Sequence, residues 1–419
     1  MKSEYDLIVV GGGFTGLIAA LAAAESNKKT LLITFGAGSL AVGGGIVDLL
    51  GAGENNRLIL SPFEEIRELP ENHPYSLLGL DKIRQALAFF ERITREGGYP
   101  YVANGDKNTF MVTPIGKLKP TYMFYEGQRP DILKESRDII ILGVSGLKDF
   151  FPELLLNGLS RQPLFKGKRF KVITLPSPFR KDWDLSAFEI SAFVTRDEGR
   201  DWFKRVFKDN IPKNAAVLSP PLLGIEPDGS LRRELKDSYG TAIIETATLP
   251  PSVLGIRLRK LLTDLLKAKG VAIIEAAKVT GNEVKNKICS ALFTSDNKRL
   301  RRYEAKEFII ATGGFFGGGA VSLPGKAHEM IFNIDLDVPL FQEEWSKNKL
   351  LGVERHPFGS FGVKTDSDLR AIDNSGEIIL ENVRFAGRIL SGYDFAAEKS
   401  GNGVALLTAY AAAKSLNNA

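Results

Sequence analysis

The sequence predicts an α/β fold, a parallel sheet flanked by helices, with an inserted α+β cap lobe. Three observations carry this. The apolar run Tyr5-Asp6-Leu7-Ile8-Val9-Val10 leads straight into a glycine cluster, an alanine-rich helix pattern and a second strand pattern. The same alternation of helix and strand returns after Pro250-Pro251-Ser252 and runs to the end of the sequence. Between the two lies a long stretch with scattered prolines and no regular period. With 419 residues, 44% hydrophobic and 25% charged, the chain has enough apolar material for a large core and is not disordered overall.

Taken in order, Tyr5–Val10 has the β-branched and leucine content of a strand buried on both faces. Gly11-Gly12-Gly13-Phe14-Thr15-Gly16 follows, then a helix from Leu17 to Ser26 and a second strand over Thr30–Phe35. Turns fall at Asn55-Asn56, Pro62, Pro70 and Pro74. Ile83, Leu87, Phe90 and Ile93 then share one face of a helix over Asp81–Glu96, which Gly97-Gly98 ends. From Pro100 to Pro221 the pattern reads as short strands and loops, a separate cap lobe. Ser252 is an N-cap for a helix whose apolar face is Leu254, Leu258, Leu261, Leu262, Leu265 and Leu266; Gly270 ends it and Val271–Ile274 is the next strand. Arg257, Arg259 and Lys260 fall largely off that face, on the expected wet side. Phe308–Ala311 is a buried strand running into Thr312-Gly313-Gly314; a polar excursion over 325–355 reads as a second piece of cap; a last helix covers Val404–Leu416. The expected division is therefore 1–52 with 236–324 and 356–419 as a nucleotide-binding, Rossmann-like domain, and 53–235 with 325–355 as a cap, substrate or partner lobe.

Composition excludes several classes. A net charge of +5 is too thin for nucleic-acid binding, and Cys289, the one cysteine, supports neither an internal disulfide nor a zinc or iron–sulfur site of the chain's own. No membrane span or secretory signal is expected near the start, where the longest apolar run is Leu17–Ala24. Glycine is the useful excess: 42 residues, about a tenth, against about 7% in average usage.

The glycines carry the chemistry. Gly11-x-Gly13-x-x-Gly16 between a strand and a helix is the dinucleotide fingerprint: Gly11 permits the tight turn, Gly13 lets backbone approach a phosphate, and Gly16 lets the helix pack on the strand. Phe14 and Thr15 lie in the same turn, whose helix start offers N–H donors to that phosphate. The acidic residue that binds an adenosine ribose is missing after strand two, where Thr34 stands instead; this favours a flavin without the adenosine half, FMN, with FAD the alternative. Gly44 and Gly45 give bare backbone suited to the face of an isoalloxazine ring, and Gly313 ends a buried strand. Gly392 and Asp394 precede Gly401-Asn402-Gly403-Val404, a helix start whose dipole suits the negative charge of a reduced flavin pyrimidine.

This combination resembles the flavoproteins of the succinate dehydrogenase and fumarate reductase type, and more narrowly the B-subunit family of anaerobic glycerol-3-phosphate dehydrogenase. The likeness rests on Val9–Leu17, Gly44–Leu50, Ser360–Thr365, Ser391–Asp394 and Gly401–Val404. It implies an FMN protein that pairs with an FAD-bearing A subunit, the two docking on an iron–sulfur C subunit on the cytoplasmic face of the membrane. It implies oxidation of glycerol 3-phosphate to dihydroxyacetone phosphate with electrons passed towards quinone. The glycine triplet at 43–45 departs from the serine-rich stretch expected there. Three histidines, His73, His328 and His356, are the acid–base candidates. His356 is preferred, because Arg355-His356-Pro357 lies where the second cap piece returns to the sheet. Two alternatives stay open: an electron-relay scaffold with no substrate site of its own, and a stand-alone FAD enzyme of fumarate reductase type.

Overall fold

The structure is a computed structural model that describes residues 4–179, 184–296, 299–349 and 354–416. Its main strands are Tyr5–Val10 (β1), Thr30–Ile33 (β2), Asp138–Val144 (β3), Arg169–Leu175 (β4), Ala216–Ser219 (β5), Ala242–Glu245 (β6), Ala272–Ile274 (β7), Lys278–Lys285 (β8), Ile288–Asp296 (β9), Arg299–Ile310 (β10) and Val383–Phe385 (β11). Its main helices are Phe14–Glu25 (α1), Pro74–Glu96 (α2), Pro152–Ser160 (α3), Ala187–Val194 (α4), Asp197–Asn210 (α5), Ser230–Tyr239 (α6), Val253–Ala268 (α7), the single turn Phe395–Glu398 (α8) and Gly401–Ser415 (α9). The chain divides into two compact units, one of Met1–Ser39, Val47–Arg92 and Leu262–Ala419, the other of Leu40–Ile46 and Ile93–Leu261.

The first unit holds five parallel strands in the order β7-β2-β1-β10-β11. Their C-terminal ends are in register: Val10 pairs with Ile33 and Ile310, Ile33 with Ile274, and Ile310 with Phe385. β10 is long because it serves twice. Its second half lies in the parallel sheet, and its first half pairs antiparallel with β9, which pairs in turn with β8. Ile8, Val9, Phe308, Ile309 and Ile310 are fully buried, which is why β1 and β10 read as unbroken apolar runs. α1 and α9 pack on each other. Both are rich in buried alanine and glycine, and small side chains let two helix backbones approach.

Two segments expected in the cap belong to this first unit. Residues 53–92 are tied in where the Tyr75 hydroxyl donates to the Leu49 carbonyl (2.5 Å) and His73 meets Glu398 (3.2 Å). Of residues 325–355, 350–353 lie outside the described residues; in the rest, Lys326–Glu329 closes a hairpin with Ala320–Leu323, and Phe332 sets its ring edge-on to Phe385 at 6.3 Å. Polar composition marked that excursion as a lobe; its few apolar side chains attach it to the sheet. α2 also starts earlier than the periodicity predicts, at Pro74, with a break at Gly79 where φ is +78°.

The second unit differs from the expected mixture of short strands. It contains a four-stranded, wholly parallel sheet, β6-β5-β3-β4. β3 alternates its apolar side chains between the two faces. Ile140, Leu142 and Val144 pack with Phe203, Phe207, Leu231 and Leu235, whereas Ile139 and Ile141 pack with Leu155, Leu159 and Phe165. Prolines in the connections masked this regularity in the sequence. Residues 236–261, expected in the nucleotide-binding domain, belong here with β6 and the first part of α7.

Candidate functional site

In the first unit the chain leaves β1 towards β2 and β7 on one side, while β10 and β11 lie on the other. The order therefore reverses between β1 and β10, and open α/β sheets take their ligands in the crevice beyond the strand C-termini at such a point. Here the crevice is lined by glycine turns. Gly11 has φ +124°, and a Cβ on it would collide with the Ala311 carbonyl at the end of β10. A Cβ on Gly16 would enter the Gly11 carbonyl in the same way, so helix and turn are in backbone contact. Gly13 caps α1 with no side-chain hydrogen bond, and no acidic residue occupies the first turn. The first intrahelical bond runs from Leu17 N to Gly13 O (3.1 Å), and the amides of Phe14, Thr15 and Gly16 meet no acceptor among the described residues. Gly38 lies against Gly13, where a Cβ would come within 2.6 Å of the Gly13 Cα.

The neighbouring strand ends complete this corner. Gly313 has φ +78°, and the buried Thr312 Oγ1 has no partner among the described residues. Gly387, φ +76° after β11, rests on the Thr15 side chain and donates its N–H to Thr408 Oγ1 in α9 (2.9 Å). Thr34 is turned inwards: its hydroxyl donates to Gly36 O (3.1 Å) and fills the space beside Gly12. The side chain that replaces the missing acid thus closes its own turn. Sequence order hid what stands next to it. Thr34 N donates to Ile274 O (2.8 Å), so the carboxylate-bearing Glu275 follows immediately on the adjacent strand.

The C-terminal glycine motif is anchored more firmly than its sequence suggests. Asp394 caps α8, accepting from the amides of Ala396 and Ala397 at 3.1 Å. Gly392, φ +85°, packs on the Asn72 carbonyl, and Gly401 lies against the Phe395 ring. Asn402 and Gly403 form the first turn of α9, where Gly403 N donates to Asp48 O (2.9 Å) and a Cβ would collide with the Tyr75 hydroxyl. One helix-start amide is therefore already bonded within the chain. Glu398 is the hub behind this turn, accepting from His73 Nε2 (3.2 Å), Ser400 Oγ (3.0 Å) and Asp394 N (3.0 Å). Burial pushes its carboxyl up, but the hydrogen bonds from His73, Asp394 N and Ser400 outweigh that and hold it below the usual range. His73 Nδ1 accepts from Tyr75 N (3.0 Å), so both ring nitrogens have structural partners.

Several other predicted residues have different neighbours. The side chains of Phe14 and Val404 are core: Phe14 is edge-on to Phe90 at 5.5 Å, and Val404 is fully buried. Gly44 and Gly45 belong to the second unit. Gly45, φ +63°, packs on the Leu254 carbonyl and accepts from the Tyr101 hydroxyl, while Gly44 approaches Ile46 and Ala247. His356 stands at the start of a short turn over Pro357–Ser360, and its Nδ1 accepts from Lys347 N (3.1 Å). In the neutral ring that bond places the proton on Nε2.

Sequence reading also missed a buried charge cluster in the second unit. Arg257, assigned above to a wet face, is 3% exposed and forks onto Glu245 (2.5 and 3.0 Å), with Arg232 on the same carboxylate at 2.6 Å. Burial pushes the Glu245 carboxyl up, and the two guanidiniums override it to hold it low. The helical periodicity of α7 placed Arg257 off the leucine stripe; a second surface, made by β6 and α6, covers it there.

Known proteins can be set beside this geometry. Residues 6–404 match the family model of the FAD binding domain. A relative from Halobacterium salinarum, named as a probable B subunit of anaerobic glycerol-3-phosphate dehydrogenase, is 30% identical over 98% of this chain and 97% of its own. The chain belongs to the FAD-binding domain family and to the B-subunit family of anaerobic glycerol-3-phosphate dehydrogenase. It is a flavoprotein oxidoreductase. A Vibrio vulnificus member of the family, named as the B subunit of the same enzyme, is 27% identical over 98% of this chain and 95% of its own. Among solved structures, 3-ketosteroid delta1-dehydrogenase from Sterolibacterium denitrificans aligns over 99% of both chains, with 12% identity and a TM-score of 0.46. No helix among the described residues is long and apolar enough to cross a membrane.

Proposed function

We propose that this chain is the flavin-carrying B subunit of a glycerol-3-phosphate dehydrogenase complex, which oxidises sn-glycerol 3-phosphate to dihydroxyacetone phosphate and passes electrons to a quinone. The observation that carries this reading is the reversal crevice, where the first-turn amides of α1 and the orphaned Thr312 hydroxyl meet glycine turns from three strand ends. The residues there fit a flavin phosphate. Gly13 and the amides of Phe14, Thr15 and Gly16 would hold it, with Gly11, Gly16 and Gly38 keeping side chains out of the way. A bound flavin supplies hydride acceptance from a carbinol carbon. The chain's own part is to hold it in place and to exclude water with the buried β1 and β10 ends.

The partners of this reading are an FAD-bearing A subunit plus an iron–sulfur C subunit on the cytoplasmic face of the membrane. The names of its relatives, each one lettered member of a larger enzyme, support such an assembly. FMN is favoured by the inward-turned Thr34, which leaves no acid on β2 for an adenosine ribose. FAD is the second reading, favoured by the family model and by Glu275 on the adjacent strand.

Release of the cofactor from purified protein by heat, followed by chromatographic identification, separates the two; a colourless chain that takes up neither flavin sinks both. Anaerobic addition of glycerol 3-phosphate then tests where the substrate reacts. Bleaching of the isolated chain places oxidation here, whereas bleaching only when its partners are present makes it an electron relay.

A further inference from the structure

The crevice of the first unit holds one cation that the flavin reading has not used. Arg388 follows Gly387 at the C-terminal end of β11 and is half-buried. Its guanidinium lies over Gly314, beyond the end of β10, where a Cβ would be 3.7 Å from Cζ. It also faces the Phe395 ring at 4.8 Å and the Tyr393 ring at 5.7 Å. Nη2 donates to Gly359 O (2.6 Å) and Nη1 makes a longer bond to Phe361 O (3.4 Å). These use two of the five N–H groups a guanidinium carries.

No carboxylate pairs with Arg388 among the described residues. Asp394, close by, caps α8 through Oδ1 and packs against Gly359. Arg384, Arg370 and Arg355 of this unit are answered by Glu307 (2.6 Å), Asp366 (2.8 Å) and Glu398 (3.7 Å) respectively. A guanidinium cannot discharge itself by losing a proton, and half-burial without a countercharge is unfavourable. Two aromatic faces and two carbonyls fix its plane beside the strand ends where a ligand would enter.

We propose that Arg388 is the anion-recognition residue of this crevice and takes a phosphate-ester oxyanion, carried either by the flavin or by the substrate. The proposal rests on the flavin reading above and names the residue that answers the ligand's charge. A planar fork with unpartnered N–H groups matches two phosphate oxygens at once, which an ammonium group does not do.

The test uses the full chain as wild type, Arg388→Gln and Arg388→Lys. Binding of riboflavin, FMN and FAD is followed by flavin fluorescence, and binding of glycerol 3-phosphate and inorganic phosphate by calorimetry. Arg388→Gln should weaken a phosphate-bearing ligand at least tenfold while riboflavin binds as before, and Arg388→Lys should recover part of the loss. A loss confined to FMN or FAD assigns the oxyanion to the cofactor; a loss confined to glycerol 3-phosphate and inorganic phosphate assigns it to the substrate. Unchanged binding throughout overturns the proposal, as does an equal loss for riboflavin, which marks a packing role. If Arg388→Gln does not fold, Arg388→Lys decides alone, because it too should bind phosphate esters more weakly and riboflavin equally. A wild-type chain that binds no flavin overturns the functional reading instead, and the phosphate arm still reports on Arg388.

Discussion

Replacing Glu245 by alanine tests whether one carboxylate holds the second unit together. Glu245 is fully buried and accepts from Arg257 Nη1 and Nη2, Arg232 Nη2 and Leu223 N. These donors come from α7, α6 and the loop after β5, so a single side chain on β6 joins three other segments. Removal strands two guanidiniums, 3% and 7% exposed, that cannot deprotonate. Breaking a buried pair from one side costs about 3–5 kcal/mol. At roughly 2–4 °C per kcal/mol for a domain of this size, the thermal midpoint should fall by about 6–20 °C. Thermal and urea unfolding followed by far-ultraviolet circular dichroism measure it, with Glu245→Gln as the isosteric comparison. Replacing Glu245, Arg232 and Arg257 together by apolar residues of similar volume should restore most of the loss, since no charge is then left unpaired. Glu245→Ala within about 1 kcal/mol of wild type would refute the argument, because it would mean that water or backbone solvates both arginines where they stand.

Other expectations follow from the same geometry. Gly11→Ala should lose about 2–5 kcal/mol, from positive φ and from overpacking against Ala311, and should emerge from purification without flavin; a yellow, equally stable variant contradicts the β1–β10 contact. Glu329 is fully buried, and desolvation pushes its carboxyl up to about 7 although the amides of Ile331 and Phe332 donate to it. The folded protein then binds more protons than the unfolded chain between the ordinary 4.5 and about 7, so stability should decline by about 3 kcal/mol as pH rises through that window. Thermal midpoints from pH 4.5 to 8 check this against Glu329→Gln, which should lack that slope; identical profiles exclude the assignment.

By itself the sequence determined the parts that follow from local chemistry. Tyr5–Val10, the glycine turn, α1 and Thr30–Ile33 were legible because strand pattern, turn residues and helix start agree within thirty residues. Ser252 was legible as a cap, and its hydroxyl does accept from Gly255 N (3.2 Å). Tertiary structure decided what distance along the chain conceals. Prolines between β3, β4, β5 and β6 interrupt every local period, so the second parallel sheet exists only through pairing of remote strands. Arg257 looked wet because periodicity names the face turned to the nearest core, and it was β6, with Glu245, that gave the opposite face a partner. Arg388 carried no motif at all. Its meaning comes from Gly314, Gly359, Tyr393 and Phe395 gathering round it while no carboxylate among the described residues pairs with it, and a charge's partners are set by three-dimensional neighbours, which no one-dimensional spacing encodes.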